Sequence, residues 1–214
     1  MRRWQQRQRK TQPKYRLTLF NRSGASGGMC LYQRDPVQEK NNELYSLAWF
    51  ARLCHPRSKV TFTWRPRYSF VWSEVDTLRP GVIFFPCEGI AAEPADRGLN
   101  AVTFLRDESG SHFERKDGGD ASGLTIDCGD IPENSASVGI AVSGSGAFAW
   151  HADANSACSF SPNPEYWIAF GDFVQGEVVD VNSVAGRTMR IDFAPGEYEK
   201  VASFGMDSRW TLEA

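Results

Sequence analysis

Lys59-Val-Thr-Phe-Thr-Trp64, followed across Arg65-Pro-Arg67 by Tyr68-Ser-Phe-Val-Trp-Ser-Glu74, is the stretch from which the fold class is read. In the first run Val60, Phe62 and Trp64 share one face and Thr61 and Thr63 the other. In the second, Tyr68, Phe70, Trp72 and Glu74 oppose Ser69, Val71 and Ser73. A period of two, rich in β-branched and aromatic residues, is the pattern of a strand with unlike faces. Proline between the runs removes a ladder donor and turns the chain.

The same signature recurs outward in both directions. Residues 15–20 and 29–33 read as two strands, paired as a hairpin across the Gly- and Ser-rich 21–28. The polar residues 35–42 are a loop. Residues 46–53 suit one helical turn or a strand, and their continuous apolar centre favours a strand buried on both faces. Residues 82–85 read as another buried strand and 88–98 as loop. Residues 100–105 and 112–115 form a hairpin about Asp107-Glu-Ser-Gly110, with a flexible loop at 116–123 and a short strand at 124–127. Ser143-Gly-Ser-Gly146 joins 138–142 to 147–150 as a further hairpin. Three strands follow within 187–193, 196–204 and 209–212. About a dozen strands, with almost no helical periodicity, predict an all-β antiparallel two-sheet sandwich, barrel-like closure being the alternative.

Composition agrees with one domain. The chain has 214 residues, of which 41% are hydrophobic and 13% aromatic, with 7 Trp and 14 Phe. All-β domains of this length occur as single units. Residues 1–14 hold Arg2, Arg3, Arg7, Arg9, Lys10 and Lys14 and no acid, so a net charge of −2 leaves −8 on residues 15–214. The leader is read as a disordered basic arm and 15–214 as one β-sandwich domain. The acidic body argues against nucleic acid as the main partner. No apolar run reaches the roughly eighteen residues of a membrane span, and no apolar segment follows the basic start as in a secretory signal. A cytoplasmic protein is expected, with export by another route left open. Five dispersed cysteines without a C-x-x-C pair fit small buried thiols in a reducing compartment.

Several words in these strands resemble the RhiA family, named from an abundant rhizosphere-expressed protein of root-nodule bacteria. They are Ser46-Leu-Ala-Trp-Phe-Ala51, Val60-Thr-Phe-Thr-Trp64, Tyr68-Ser-Phe-Val-Trp-Ser-Glu74, Ala136-Ser-Val-Gly-Ile140, and Pro162-Asn-Pro-Glu-Tyr-Trp-Ile168 with Gln175-Gly-Glu-Val178. Two turns depart from the family pattern: Val75-Asp76 stands where members have Thr-Gly, and Pro56-Arg57-Ser58 where they have Pro-Gly-Thr. The resemblance implies a soluble microbial protein tied to life beside other organisms. It brings no reaction and no catalytic residues with it.

Chemistry is sparser than scaffold. His55, His112 and His151 stand apart, and His151 with Asp153 supplies two ligands on one strand face, too few for a metal site. Cys54 and His55 are adjacent and point to opposite faces, so they do not make a nucleophile and base. The Gly-rich segments precede no helix and cradle no phosphate. No metal or cofactor is expected. The residues of interest lie largely in 160–180, FSPNPEYWIAFGDFVQGEVVD, and in the 59–74 stretch. A carboxylate desolvated against a large ring keeps its proton to higher pH and can serve as a general acid. Glu74 beside Trp72 and Glu165 ahead of Tyr166 and Trp167 have that setting. Trp64, Tyr68, Trp72, Tyr166, Trp167 and Glu177 are the candidate ligand-binding residues, with Asp180 near them. The competing structural role puts Trp72 and Trp167 in the core and has Glu165 brace a turn.

The leading expectation is a non-enzymatic β-sandwich binding protein for a carbohydrate or small apolar molecule. Its rival is a cofactor-free isomerase, cyclase or hydrolase using Glu74 or Glu165 in an aromatic-lined cavity. A third reading is an oligomer assembled through sheet edges.

Overall fold

A computed structural model describes residues 12–34, 44–117, 123–162 and 165–213. Most of the basic leader, the 35–42 loop, the middle of the 116–123 loop and Asn163-Pro164 lie outside the described residues. Within them the chain is all-β, with 17 strands and a short 3-10 turn at Ala185–Arg187. No helix among the described residues is long and apolar enough to cross a membrane.

The strands sort into four open sheets rather than the two expected, and none closes into a barrel. Sheet I runs β17 (Trp210–Glu213), β16 (Glu199–Phe204), β1 (Tyr15–Asn21), β5 (Lys59–Trp64). Sheet II runs β15 (Thr188–Ile191), β14 (Glu165–Gly171), β2 (Gly27–Arg34), β4 (Phe50–Cys54). Sheet III runs β3 (Tyr45–Ser46), β12 (Ser145–His151), β11 (Ser137–Val142), β6 (Tyr68–Ser73), β7 (Glu88–Ala92). Sheet IV runs β13 (Ala157–Phe160), β10 (Leu124–Cys128), β8 (Ala101–Asp107), β9 (Gly110–Arg115). Pairing is mostly antiparallel, but β1 with β16 and β8 with β10 are parallel.

Aromatic contacts show which faces meet. Phe170 of sheet II stacks on Phe204 of sheet I at 4.2 Å, and Phe50 on Phe62 at 5.7 Å. Phe148 of sheet III lies 5.1 Å from Phe160 of sheet IV, and Trp72 5.8 Å from Phe104. Sheet I thus packs on sheet II and sheet III on sheet IV, within one continuous buried cluster. The two runs of 59–74 show why the count was underestimated. Each is the strand its alternation predicts, yet β5 belongs to sheet I and β6 to sheet III. The turn between them is held to sheet III by the Ser143 amide, which donates to the Arg67 carbonyl at 2.8 Å just beyond the β6–β11 ladder.

The segment 47–49 joins the pairs. It leaves β3 in sheet III and enters β4 in sheet II, and Leu47, Ala48 and Trp49 are all fully buried. Trp49 donates its indole N–H to the Val142 carbonyl of β11 at 2.8 Å. Its ring meets Trp64 of sheet I at 5.3 Å and Tyr166 of sheet II at 6.2 Å. No helical turn forms at 46–53, but neither does the single strand buried on both faces: β3 ends at Ser46, β4 begins at Phe50, and Arg52 and Leu53 are exposed.

Three local expectations are corrected. Strands β1 and β2 do not form a hairpin, since they belong to different sheets. Fully buried Asn21 ends β1 by donating to the Ala25 and Cys54 carbonyls at 2.8 and 2.9 Å, which turns the chain from one sheet to the next. Residues 82–85 form no strand; Ile83 makes one isolated bridge with Glu177, and Phe84 is buried while Phe85 is 65% exposed. Residues 88–92 are strand β7, an edge whose Glu-Gly-Ile-Ala-Ala carries no alternation to betray it. By contrast, β8 and β9 form the hairpin expected about Asp107–Gly110.

The β11–β12 hairpin turns on Ser143 and Gly144, both at positive φ (54° and 85°), the backbone that a two-residue turn with the right twist requires. Gly139 has a different reason to be glycine. A Cβ there would fall 2.3 Å from the Phe148 carbonyl oxygen, inside the ladder of β11 with β12. Gly139→Ala is therefore expected to destabilise the fold by about 3 kcal/mol or more, read as a lowered urea midpoint at unchanged m-value. A shift under about 1 kcal/mol would show that the two strands separate there at little cost.

Candidate functional site

A cleft of about 600 Å³ opens where connections pass between the sheets. Sheet I contributes Tyr15, sheet III Tyr68, and sheet II Glu165 and Tyr166. Phe193 follows β15. Pro66, Pro94 and Pro162 lie on connections between sheets and stiffen the rim, because the proline ring fixes φ.

Aromatic packing sets the walls. Tyr15 meets Tyr166 at 6.3 Å and crosses Phe193 edge-on at 5.1 Å, and Tyr166 crosses Phe193 at 5.9 Å. Trp64 is buried behind them, stacked on Tyr15 at 5.4 Å and 5.4 Å from Tyr166. Offset and edge-to-face pairs of this kind are mutually attractive and hold one another in orientation.

The polar groups are of two kinds. Glu165 is engaged through both oxygens: Oε1 accepts from Arg190 Nη1 at 2.5 Å and Oε2 from the Trp167 indole at 3.1 Å. Arg190 also donates to Asp192 at 2.7 Å, making a carboxylate–guanidinium–carboxylate chain along the edge of sheet II. The phenols are the second kind. Burial pushes the Tyr68 hydroxyl up, with Tyr166, Glu93 and Tyr15 adding to the effect. Burial raises Tyr166 as well, opposed by the neighbouring Trp64 indole, and it raises Tyr15, where Tyr198 adds. At neutral pH all three are protonated and can donate or accept hydrogen bonds.

The structure brings together about half of the candidate residues. Tyr68, Glu165 and Tyr166 line the cleft and Trp64 supports it. Trp167 follows Tyr166 on β14 and so faces away from that ring, on the side of Glu165 and Arg190; it does not line the cleft itself, and the Arg34 guanidinium lies 5.4 Å over its ring. Trp72 is core, against Phe104. Glu74 lies exposed just past β6 and does not reach the cleft. Glu177 accepts from the Val174 amide at 2.9 Å and, with Asp180, lines a separate cleft of about 630 Å³ bordered by Arg187 and Arg209. That second cleft is walled largely by loop residues and has two rings in its lining, Phe170 and Phe173, against the four of the first, Tyr15, Tyr68, Tyr166 and Phe193, so the first is the better-built site for a ring-shaped ligand. Among the described residues no three His, Cys, Asp or Glu side chains gather as a metal-holding group.

Sequence reading passed over Tyr15, Glu93, Arg190, Asp192 and Phe193. Tyr15 was visible as the first residue of an alternating strand. Nothing local marks the others, which meet only through the sheet crossings.

A model of the RhiA family matches residues 12–214. The chain belongs to the RhiA family. Protein RhiA of Rhizobium leguminosarum bv. viciae is 34% identical over 204 residues, covering 92% of this chain and 85% of that protein. No solved structure matches. The RhiA-like words have positions: 47–49 within 46–51 is the buried crossing, Gly139 in 136–140 is the tight approach to β12, and Pro162, Glu165 and Tyr166 lie at the cleft.

One departure from the RhiA pattern has a physical consequence. Arg57 stands at φ 63°, a left-handed backbone that glycine adopts freely and arginine does not. Arg57→Gly is expected to raise stability by up to about 1 kcal/mol, the relief of strain exceeding the entropy added to the unfolded chain. A loss in thermal or denaturant unfolding would mean that the arginine side chain contributes more than its backbone costs.

The buried phenols carry a pH signature. A tyrosine that ionises less readily when folded contributes stability that is complete below its ordinary value of 10.0 and is lost as pH rises toward the folded value. Stability should decline from about pH 10 upward, and Tyr68→Phe should flatten the decline. An equal slope in both proteins, from denaturant midpoints taken across that range, would place the Tyr68 hydroxyl in water.

Proposed function

We propose that the chain is a non-enzymatic binding protein whose junction cleft takes a small, ring-shaped polar ligand, a carbohydrate being the class that fits best. The observation that carries this reading is the meeting of Tyr15, Tyr68, Tyr166 and Phe193 with the Glu165–Arg190–Asp192 chain at one opening. Sugars present an apolar C–H face and a rim of hydroxyls. Rings accommodate the first, and fixed hydrogen-bonding groups the second. Pre-orientation of those groups by the ion pairs supports binding, because less side-chain entropy is lost when a ligand arrives. The commitment of both Glu165 oxygens supports a positioning role for that residue over a proton-transferring one. We place the protein in the cytoplasm, a reading that its five unpaired cysteines support.

The test is a glycan array followed by calorimetry with the full chain. Tyr166→Ala and Glu165→Gln are each expected to weaken an identified ligand at least tenfold, about 1.4 kcal/mol, with thermal melts confirming that each variant folds. Unchanged affinity in Glu165→Gln would reduce that residue to bracing β14 against β15. Arrays silent at high protein concentration would remove the carbohydrate reading, and turnover of any bound sugar would replace binding with catalysis.

A further inference from the structure

Charge at the junction cleft is unequal. Its lining holds three carboxylates, Glu93, Glu165 and Asp192, against one guanidinium, Arg190. Arg190 is divided between Glu165 and Asp192. Glu93 has no such partner: it makes no ion pair and its carboxylate no hydrogen bond among the described residues. Its position is nonetheless set. It follows β7 directly, its amide donates to the Leu99 carbonyl at 3.2 Å, and its own carbonyl accepts from the Asp96 amide at 3.0 Å. The turn therefore holds a half-buried carboxylate at the rim of a group of rings, beside the Tyr68 phenol. Two guanidiniums lie near it, yet neither pairs with it: Arg65 donates to the Gln12 carbonyl at 2.5 Å, and Arg115 to the Ala91 and Leu99 carbonyls at 2.5 and 3.4 Å.

A half-buried negative charge without a counter-ion is costly when water is displaced from around it, so a neutral ligand that covers Glu93 loses affinity. A ligand bearing a cation reverses the sign of that effect. Aromatic faces add to it, since the π-cloud of a ring attracts an ammonium group within about 6 Å of its centroid, more strongly when water is excluded.

We infer that the ligand of this cleft carries a positively charged amino group, which docks over the Tyr15, Tyr68 and Tyr166 rings with the Glu93 carboxylate as its counter-ion. This rests on the proposed binding role of the same cleft and narrows it from carbohydrates in general to amine-bearing ligands. Two sources share the chemistry, an amino sugar and a small quaternary ammonium compound.

Calorimetry with the full chain separates them, using a glucosamine tetramer, its N-acetylated counterpart and choline, each against the unmodified protein and Glu93→Gln. The substitution keeps shape and removes charge, at a site where it leaves no buried partner unpaired. The amine tetramer should bind at least tenfold tighter than the acetylated one, rising salt should narrow the gap, and Glu93→Gln should abolish it. Equal affinity for the two tetramers, or a preference that survives Glu93→Gln, would overturn the counter-ion role while leaving the carbohydrate reading intact. Choline binding that depends on Glu93, with neither sugar bound, would uphold the cation site and end the carbohydrate reading. Binding of none of the three would overturn the cation site, and the glycan array alone then decides the carbohydrate reading.

Discussion

One hydrogen bond sits where the architecture would otherwise come apart: the Trp49 indole N–H to the carbonyl of Val142, at 2.8 Å. Residues 47–49 belong to no long ladder, yet they run through the interior between sheet III and sheet II. Buried backbone groups need partners, and here the partners come from elsewhere in the chain. Leu47 donates to Ala147, Ala48 donates to Glu177 and accepts from Gly176, and Val179 donates to Ser46. With the backbone satisfied, the Trp49 ring can fill the space between Trp64, Phe50 and Tyr166. A tryptophan in that place adds about as much apolar burial as any side chain can, and its one donor is spent on the neighbouring sheet.

This crossing has a consequence for function. Once two sheet pairs are locked side by side, the chain must pass between them, and the connection 65–67 does so at the cleft, with Pro94 and Pro162 of other connections on the same rim. Connections cannot fill the junction as tightly as strands do, because strands interdigitate and turns do not. The space that remains is the cleft. Its walls are strand ends with rigid rings and its rim is proline, an arrangement that positions polar groups on a rigid scaffold. The aromatic richness that looked like core material in the sequence serves both ends: Trp49 and Trp64 are buried beneath, while Tyr15, Tyr68 and Tyr166 are half-exposed above.

Legibility in the sequence followed the range of the signal. The strands at 59–64, 68–73 and 137–142 were visible because alternation of side chains is a local property of extended backbone. The turn at Ser143-Gly144 was visible for the same reason, as its positive φ angles need particular residue types. The strand at 88–92 was hidden because an edge with small residues has no buried face to write a pattern. Residues 82–85 misled in the opposite direction: an apolar run signals burial, but a ladder needs a neighbour, and only Ile83 finds one.

The candidate site divides along the same line. Tyr166 and Trp167 are adjacent, and pleating alone sends them to opposite faces, so the sequence could say that they do not act together but not which of them meets a ligand. Sheet membership decided that, by laying β14 against β2 and β15 with Tyr166 toward the Trp64 side. By itself the sequence determined an all-β RhiA-family chain, the positions of most strands and the tight turns, all of which depend on neighbours in the chain. The tertiary structure alone decided that there are four sheets, that Glu74 and Glu177 stand away from Glu165, and that Glu93 and Arg190 join it. Those facts turn on which strands pair across more than a hundred residues, and periodicity along one strand carries no information about its partner.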